Sequence, residues 1–218
     1  MTPAQGLITL LPLLDYASVA VFALTGALVA SRAQLDVVGF IFIACLTAIG
    51  GGTLRDVMLD RVVFWIADPI TLGVASVAAV IVFLTAHLLE SRYRAILWLD
   101  AFALAIAVPA GVAAATGLGM AWPIVLVMGM VTGCMGGLMR DVVCNEVPLV
   151  LRQGELYVTC AFAGAAAAVL APLAGFDGGL SLGLCALVTL VLRAGSIAFG
   201  WRLPVYKSRP PRPDAPKR

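Results

Sequence analysis

Two arginine–aspartate pairs, Arg55-Asp56 and Arg140-Asp141, are the residues of this sequence best equipped for chemistry, and each closes a long apolar segment. The first ends the block Gly50-Gly51-Gly52-Thr53-Leu54-Arg55-Asp56-Val57. The second returns 85 positions later as Gly136-Gly137-Leu138-Met139-Arg140-Asp141-Val142, with Gly51, Gly52, Arg55, Asp56 and Val57 all on identical residues. An ionised side chain in hydrocarbon costs at least about 2.5–3.5 kcal/mol, so such groups line water or pair with one another. Duplication suggests two matching half-sites, which suits a permeation pathway better than a catalytic pocket. The competing expectation is that each pair is an ordinary helix end at the membrane interface.

The glycines add a backbone argument. Gly50, Gly51 and Gly52 are poor helix formers, at a cost of about 1 kcal/mol each relative to Ala. A kink there frees carbonyl oxygens, and in lipid such oxygens are tolerated only against protein or water. Freed carbonyls are hard ligands suited to a weakly held alkali cation, so the backbone of Gly50, Gly51 and Gly52 is a candidate contact for K+. Gly133, Gly136 and Gly137 form the second candidate kink. The alternative is close helix packing by small residues, which also fits Gly129. Asp15 and Asp100 occupy equivalent positions early in two apolar segments. Either they are helix N-terminal acids favoured by the dipole, or they concentrate cations at opposite mouths.

Other chemistry finds little support. There is no nucleotide-binding glycine loop, no serine or cysteine paired with a base, and nothing resembling a nucleic-acid surface, so no enzyme and no bound cofactor is expected. Cys45, Cys134, Cys144, Cys160 and Cys185 are scattered singly and read as small buried hydrophobes. His87, alone of its type, reads as interfacial or packed.

The elements that must position the two pairs are membrane spans. The chain has 218 residues, 62% of them hydrophobic and 12% charged, with a mean hydropathy of +1.05. A soluble domain carries about 25% charged residues, so the excess apolar surface here must face lipid. The expected class is an all-α integral membrane protein with spans near 12–31, 37–54, 69–89, 95–116, 118–139, 155–173 and 179–200. Met1 to Leu14 holds no Lys or Arg, unlike a cleavable signal peptide, so the first span is expected to be retained. Residues 203–218, with five prolines, five basic residues and one acid, read as a disordered cytoplasmic tail. With the N-terminus outside, the cytoplasmic set holds Arg32, Arg92, Arg94, Arg140, Arg152 and the tail, against Arg55 and Arg61 outside. The positive-inside rule therefore predicts a multi-pass inner-membrane protein, N-out and C-in. Arg193 is expected to snorkel toward the cytoplasm, and Asp60, Arg61, Glu146 and Glu155 to sit in solvated loops.

Aligned at the constant offset, residues 15–84 and 100–169 share 12 identities in 70, among them Asp15/Asp100 and Gly26/Gly111. Three spans per copy is an odd number, so the second copy crosses in the opposite sense and the repeat is inverted. Repeat one covers about 12–89, repeat two about 95–173, and the seventh span, about 179–200, braces the six-helix unit within a channel domain of residues 1–202.

At these two motifs the chain resembles prokaryotic members of the trimeric intracellular cation channel family, over about residues 10–200. The resemblance implies a homotrimer in membrane lipid whose subunits each carry a pore between the two repeats, passing monovalent cations such as potassium or sodium. It implies bends in spans two and five at Gly50, Gly51, Gly52 and at Gly136, Gly137, and a polar constriction at Arg55, Asp56, Arg140 and Asp141. Where animal members have a lipid-binding Lys-Glu-Val, this chain reads Leu54-Arg55-Asp56-Val57, so phosphoinositide binding does not carry over. Met135 replaces the first glycine of the second copy, which predicts a milder bend. Two other classes stay open. A small-solute carrier is equally served by inverted repeats with broken helices, and related bacterial sequences are described as glycine transporters. An assembly subunit without a pathway would use the Arg-Asp pairs as interhelical glue.

Overall fold

The structure, a computed structural model, describes residues 3–88, 92–152 and 156–204, with the side chains of 3–10 and 92 excepted. Among them lie eight α-helices: α1 (Pro3–Arg32), α2 (Val37–Met58), α3 (Phe64–Ala67), α4 (Ile70–Thr85), α5 (Arg92–Gly117), α6 (Trp122–Val143), α7 (Val158–Leu170) and α8 (Gly179–Phe199). Six have spans long and apolar enough to cross a bilayer, starting at Leu11, Val37, Ile70, Tyr93, Trp122 and Gly179. The seventh apolar helix, Val158–Ala174, ends in a 3-10 turn and is shorter. At 1.5 Å per residue it spans about 26 Å, a little under the roughly 30 Å hydrocarbon core. The tail beyond residue 204 and Glu155 lie outside the described residues.

The bundle is apolar outside and charged inside. Phe42, Ile81, Leu84, Leu180 and Leu187 are exposed, whereas Arg55, Asp56, Asp100, Arg140, Asp141 and Arg193 are buried. Lipid rewards that inversion, because the outer face needs no polar groups and ions are cheapest away from hydrocarbon. α1 and α5 are the most enclosed spans. Small residues on them, Ala23, Ala27 and Ala30 on α1 and Ala103, Ala107 and Ala110 on α5, are wholly or nearly wholly buried.

The inverted repeat is visible in the helix bounds, since α2 at 37–58 becomes α6 at 122–143 when 85 is added to both ends. Backbone conformation repeats as well. Asp60 and Asn145 take positive φ, 52° and 54°, just past the two helices, and Gln34 and Gly119 do so just before them, at 55° and 67°. Asp36 caps α2 by accepting from Gly39 N at 2.8 Å, while Pro123 supplies the pre-set φ of the first turn of α6.

Several sequence expectations are corrected. The fifth span runs from Trp122 to Val143 rather than 118–139, because Gly119 in the left-handed region and Pro123 place the helix start later. The second extends to Met58, which brings Arg55 and Asp56 into its last turn. Asp15 and Asp100 lie well inside α1 and α5, too far from either N-terminus for the dipole to act within a turn. Most important, α2 and α6 are continuous α-helix through Gly50–Gly52 and Gly136–Gly137. No unwound turn is present, so the expected carbonyl site for a cation at Gly50, Gly51 and Gly52 is not formed.

Candidate functional site

The glycines serve contact between helices. A β-carbon on Gly51 would lie 2.2 Å from the Thr132 carbonyl oxygen, and one on Gly136 would lie 2.3 Å from the Thr47 carbonyl oxygen. These are the same contact seen twice, since 47 and 51 map onto 132 and 136. α2 and α6 therefore cross with their backbones touching, where no side chain larger than hydrogen fits. The wet gap expected between them is closed at this crossing. Gly26 and Gly111 repeat the device, seating α1 on Thr47 and Ile43 and α5 on Thr132 and Met128. Gly133 packs on Leu104 and Val108 of α5, and Gly50 on Met139. Thr47 and Thr132 donate their hydroxyls to Ile43 O and Met128 O, at 2.6 and 2.7 Å, so neither leaves an unbonded hydroxyl in the seam. Both threonines were missed by motif reading, although they are identical at the constant offset.

Each Arg-Asp pair recruits the aspartate forty residues before its arginine. In the first site Arg55 chelates Asp15, with Nη1 donating to Oδ1 at 2.7 Å and Nη2 to Oδ2 at 3.2 Å. It also chelates Asp56, with Nε–Oδ1 at 2.8 Å and Nη2–Oδ2 at 3.1 Å. Asp56 Oδ2 further accepts from Phe64 N at 2.9 Å, which pins the chain after α2, and Arg61 stands 3.8 Å from Asp56 Oδ1. The Phe64 ring lies 5.6 Å from the Arg55 guanidinium carbon, within cation–π range, and against Gly52. A cavity of about 490 Å³ reaches this site, lined among others by Pro12, Asp15, Tyr16, Arg61, Phe64 and Asp68. The Tyr16 hydroxyl donates to Asp68 across it. Three carboxylates (Asp15, Asp56, Asp68) stand against two guanidiniums (Arg55, Arg61), so this end is net acidic.

The second site lies at the other end of the bundle. The first site uses the N-terminal half of α1 at Asp15, while the second touches α1 at Thr25, ten residues and about 15 Å further along. Arg140 Nε donates to Asp141 Oδ1 at 2.7 Å, and Nη1 donates to Asp100 Oδ1 at 3.1 Å and to Thr25 Oγ1 at 3.0 Å. Asp141 Oδ2 accepts from Leu149 N at 2.9 Å, the counterpart of the Phe64 bond. Tyr157 packs into this site, and the Arg193 guanidinium carbon from α8 lies 5.0 Å from its ring centroid. Arg193 is fully buried, so it does not snorkel; it lies over the Tyr157 ring and donates from Nη1 to Leu156 O at 3.4 Å. Asp100 is also fully buried, which removes it as an open acidic mouth. Charges here balance, Arg140 and Arg193 against Asp100 and Asp141. A single partner-stripped charge in either cluster would cost several kcal/mol; Arg55 is held by two carboxylates and Arg140 by two carboxylates and a hydroxyl.

The remaining expectations can be placed. Asp60 is exposed, and Arg61 and Glu146 are partly buried, Glu146 pairing with Arg32 at 3.3 Å. His87 is exposed at the end of the third span. The five cysteines are free, three of them buried. Neither Tyr157 nor Arg193 carries a local motif, and only the fold brings them to Arg140.

A family model described as "Glycine transporter" matches the chain twice, over residues 12–87 and 97–172. A UPF0126 membrane protein of Vibrio cholerae is 37% identical over 203 residues, covering 91% of this chain and 83% of that protein. A UPF0126 inner membrane protein of Escherichia coli K12 is 36% identical over 201 residues, covering 88% and 94%. Among solved structures, the TRIC trimeric intracellular cation channel orthologue from Rhodobacter sphaeroides superposes with a TM-score of 0.84 at 39% identity, covering 88% of this chain and 99% of that one. A prokaryotic TRIC channel in 0.5 M KCl superposes at 0.82 and 25% identity, covering 88% and 98%.

Proposed function

The chain belongs to the family that joins these bacterial membrane proteins to the TRIC channels, and from that footing we propose that it is a passive channel for monovalent cations, potassium first among them. The observation that carries the proposal is the pair of charge-compensated Asp–Arg–Asp clusters at opposite ends of one lipid-facing bundle. Between them runs the α2–α6 seam, and the net-acidic end opens into a cavity. A cation is drawn to the Asp15–Asp68 end, and its route follows the seam toward Arg140. The backbone contact at Gly51 and Gly136 closes that route in this conformation, so conduction requires α2 and α6 to part there. The homotrimer, the inner-membrane location with the N-terminus outside, and the roles of Arg55, Asp56, Arg140 and Asp141 as a polar constriction belong to the same proposal.

The test is purified protein in liposomes loaded with potassium. Flux down the gradient and single-channel steps in planar bilayers are expected; no potassium movement alongside intact solute uptake would overturn it.

A second reading, a carrier for glycine or a solute of that size, is favoured by one observation. One polar cluster is open to a cavity while its repeat-related partner is sealed, the asymmetry that alternating access needs. Saturable glycine uptake, at turnovers far below channel flux, would decide for the carrier.

A further inference from the structure

We propose that the cavity at the acidic end binds a primary alkylammonium ion, its head at Asp68 and its chain along the apolar wall. This ligand deepens the reading of that end as an entry for cations, although its binding does not require that the chain conduct. The cavity, about 490 Å³, lies within the range of small-ligand pockets. Its lining is of two kinds. Leu11, Pro12, Ala113 and Leu118 give it an apolar side, whereas Asp15, Tyr16, Arg61, Asp68 and Thr71 bring polar groups. An alkali cation would use the polar groups and leave the apolar side wet. An organic cation uses both.

The polar groups are committed unevenly. Asp15 gives both oxygens to Arg55, and Arg61 stands 3.8 Å from Asp56. Asp68 makes no ion pair among the described residues. Its carboxylate accepts from the Tyr16 hydroxyl and from Ile70 N, the latter at 3.2 Å. A carboxylate has about four lone-pair sites, so Asp68 keeps acceptor capacity as well as its charge. The Thr71 hydroxyl donates to Asp68 O at 2.8 Å. The hydroxyl hydrogens of Tyr16 and Thr71 are therefore both spent around Asp68, and what they have left is lone pairs.

This end accepts hydrogen bonds, and Arg61 is the one charged donor in its lining. An ammonium head, with three donors and no acceptor, is the complement. The rings of Tyr16 and Phe64 also line the cavity, and aromatic surface favours such cations. A carboxylate in the same place would meet Asp68 as a like charge.

The acceptor set is particular to repeat one. At the constant offset, Tyr16, Asp68 and Thr71 become Ala101, Gln153 and Leu156. The duplicated Asp–Arg–Asp machinery thus does without it, and a separate ligand accounts for a charge that one repeat alone carries.

The experiment is calorimetric titration of the full chain in detergent at pH 7 with butyl-, pentyl- and hexylammonium chloride, against protein-free micelles. Saturable one-to-one binding is expected, tightening about fourfold per methylene as each is buried. Hexanoate should give no heat above the micelle blank. Asp68→Asn should weaken hexylammonium by about tenfold or more, the loss of a charged hydrogen-bond partner. Crystals of the native protein soaked in 6-bromohexylammonium need no variant, and their anomalous bromine peak should lie beside Leu11, Ala113 and Leu118. Equal affinity for hexylammonium and hexanoate, or bromine on the lipid-facing surface alone, would overturn the site. In potassium-loaded liposomes, external hexylammonium should slow efflux with the midpoint seen in binding. Binding without potassium flux would remove the channel reading and leave the site; flux without binding would do the reverse.

Discussion

The carbonyl oxygen of Thr47 lies 2.3 Å from where a β-carbon on Gly136 would stand, and Thr132 bears the same relation to Gly51 at 2.2 Å. Because the obstructing atoms are backbone, an added methyl has no flexible neighbour to push aside. Gly51→Ala and Gly136→Ala are each expected to destabilise by about 1–3 kcal/mol through overpacking. At Gly137 the nearest atom is the Tyr157 hydroxyl at 3.3 Å, so alanine there should cost less. Thermal unfolding in detergent, followed by tryptophan fluorescence, ranks the three variants.

The two clusters predict unequal penalties for equivalent substitutions. Asp100→Asn leaves Arg140 short of a charge partner in a fully buried place, a loss of about 3–5 kcal/mol. Asp15→Asn leaves Arg55 chelated by Asp56, and the Asp15 side chain is 10% exposed beside the cavity, where water compensates. Unfolding midpoints in denaturant should therefore fall further for Asp100→Asn; equal losses would show that the cavity does not hydrate the first site.

Asp68 gives the acidic end its excess charge, and its effect should be electrostatic. One unit charge about 5 Å from a cation in water contributes roughly 0.8 kcal/mol, a fourfold change in local concentration. Asp68→Asn should lower potassium conductance by about that factor at 10 mM salt, with the difference vanishing near 1 M, where the Debye length is about 3 Å. Bilayer recordings across that range check it.

Val62 and Val147 are equivalent positions in the two repeats, 71% and 65% exposed just past α2 and α6. In the proposed orientation they face opposite sides of the membrane. With Cys144 replaced by Ser, Val62→Cys should react with a membrane-impermeant maleimide from the periplasmic side, and Val147→Cys only after the inner face is opened. Labelling of both from one side would refute an antiparallel arrangement.

A good part of this architecture could be read from residue order. Apolar length located the spans, and the recurrence of Gly51, Gly52, Arg55, Asp56 and Val57 at one offset located both charged pairs. The same offset applied to the second span would have placed the start of α6 at Trp122, where hydropathy alone began the helix too early. Its end at Val143 follows only from the extension of α2 to Met58. Other features had no such signature. Whether a glycine unwinds a helix or lets another helix approach depends on what lies across from it, and Thr47 and Thr132 are 89 and 81 residues from the glycines they meet, Gly136 and Gly51.

What residue order determined, then, is a membrane-embedded chain with two related charged half-sites, because apolar composition and identical spacing act locally along the sequence. Tertiary structure alone decided that the half-sites differ. Phe64 closes over Gly52, whereas Thr25, Tyr157 and Arg193 arrive at Arg140 from three separate helices or their edges. A buried charge takes whichever partners the fold presents within bonding distance, and that distance is set by packing between segments remote in the chain.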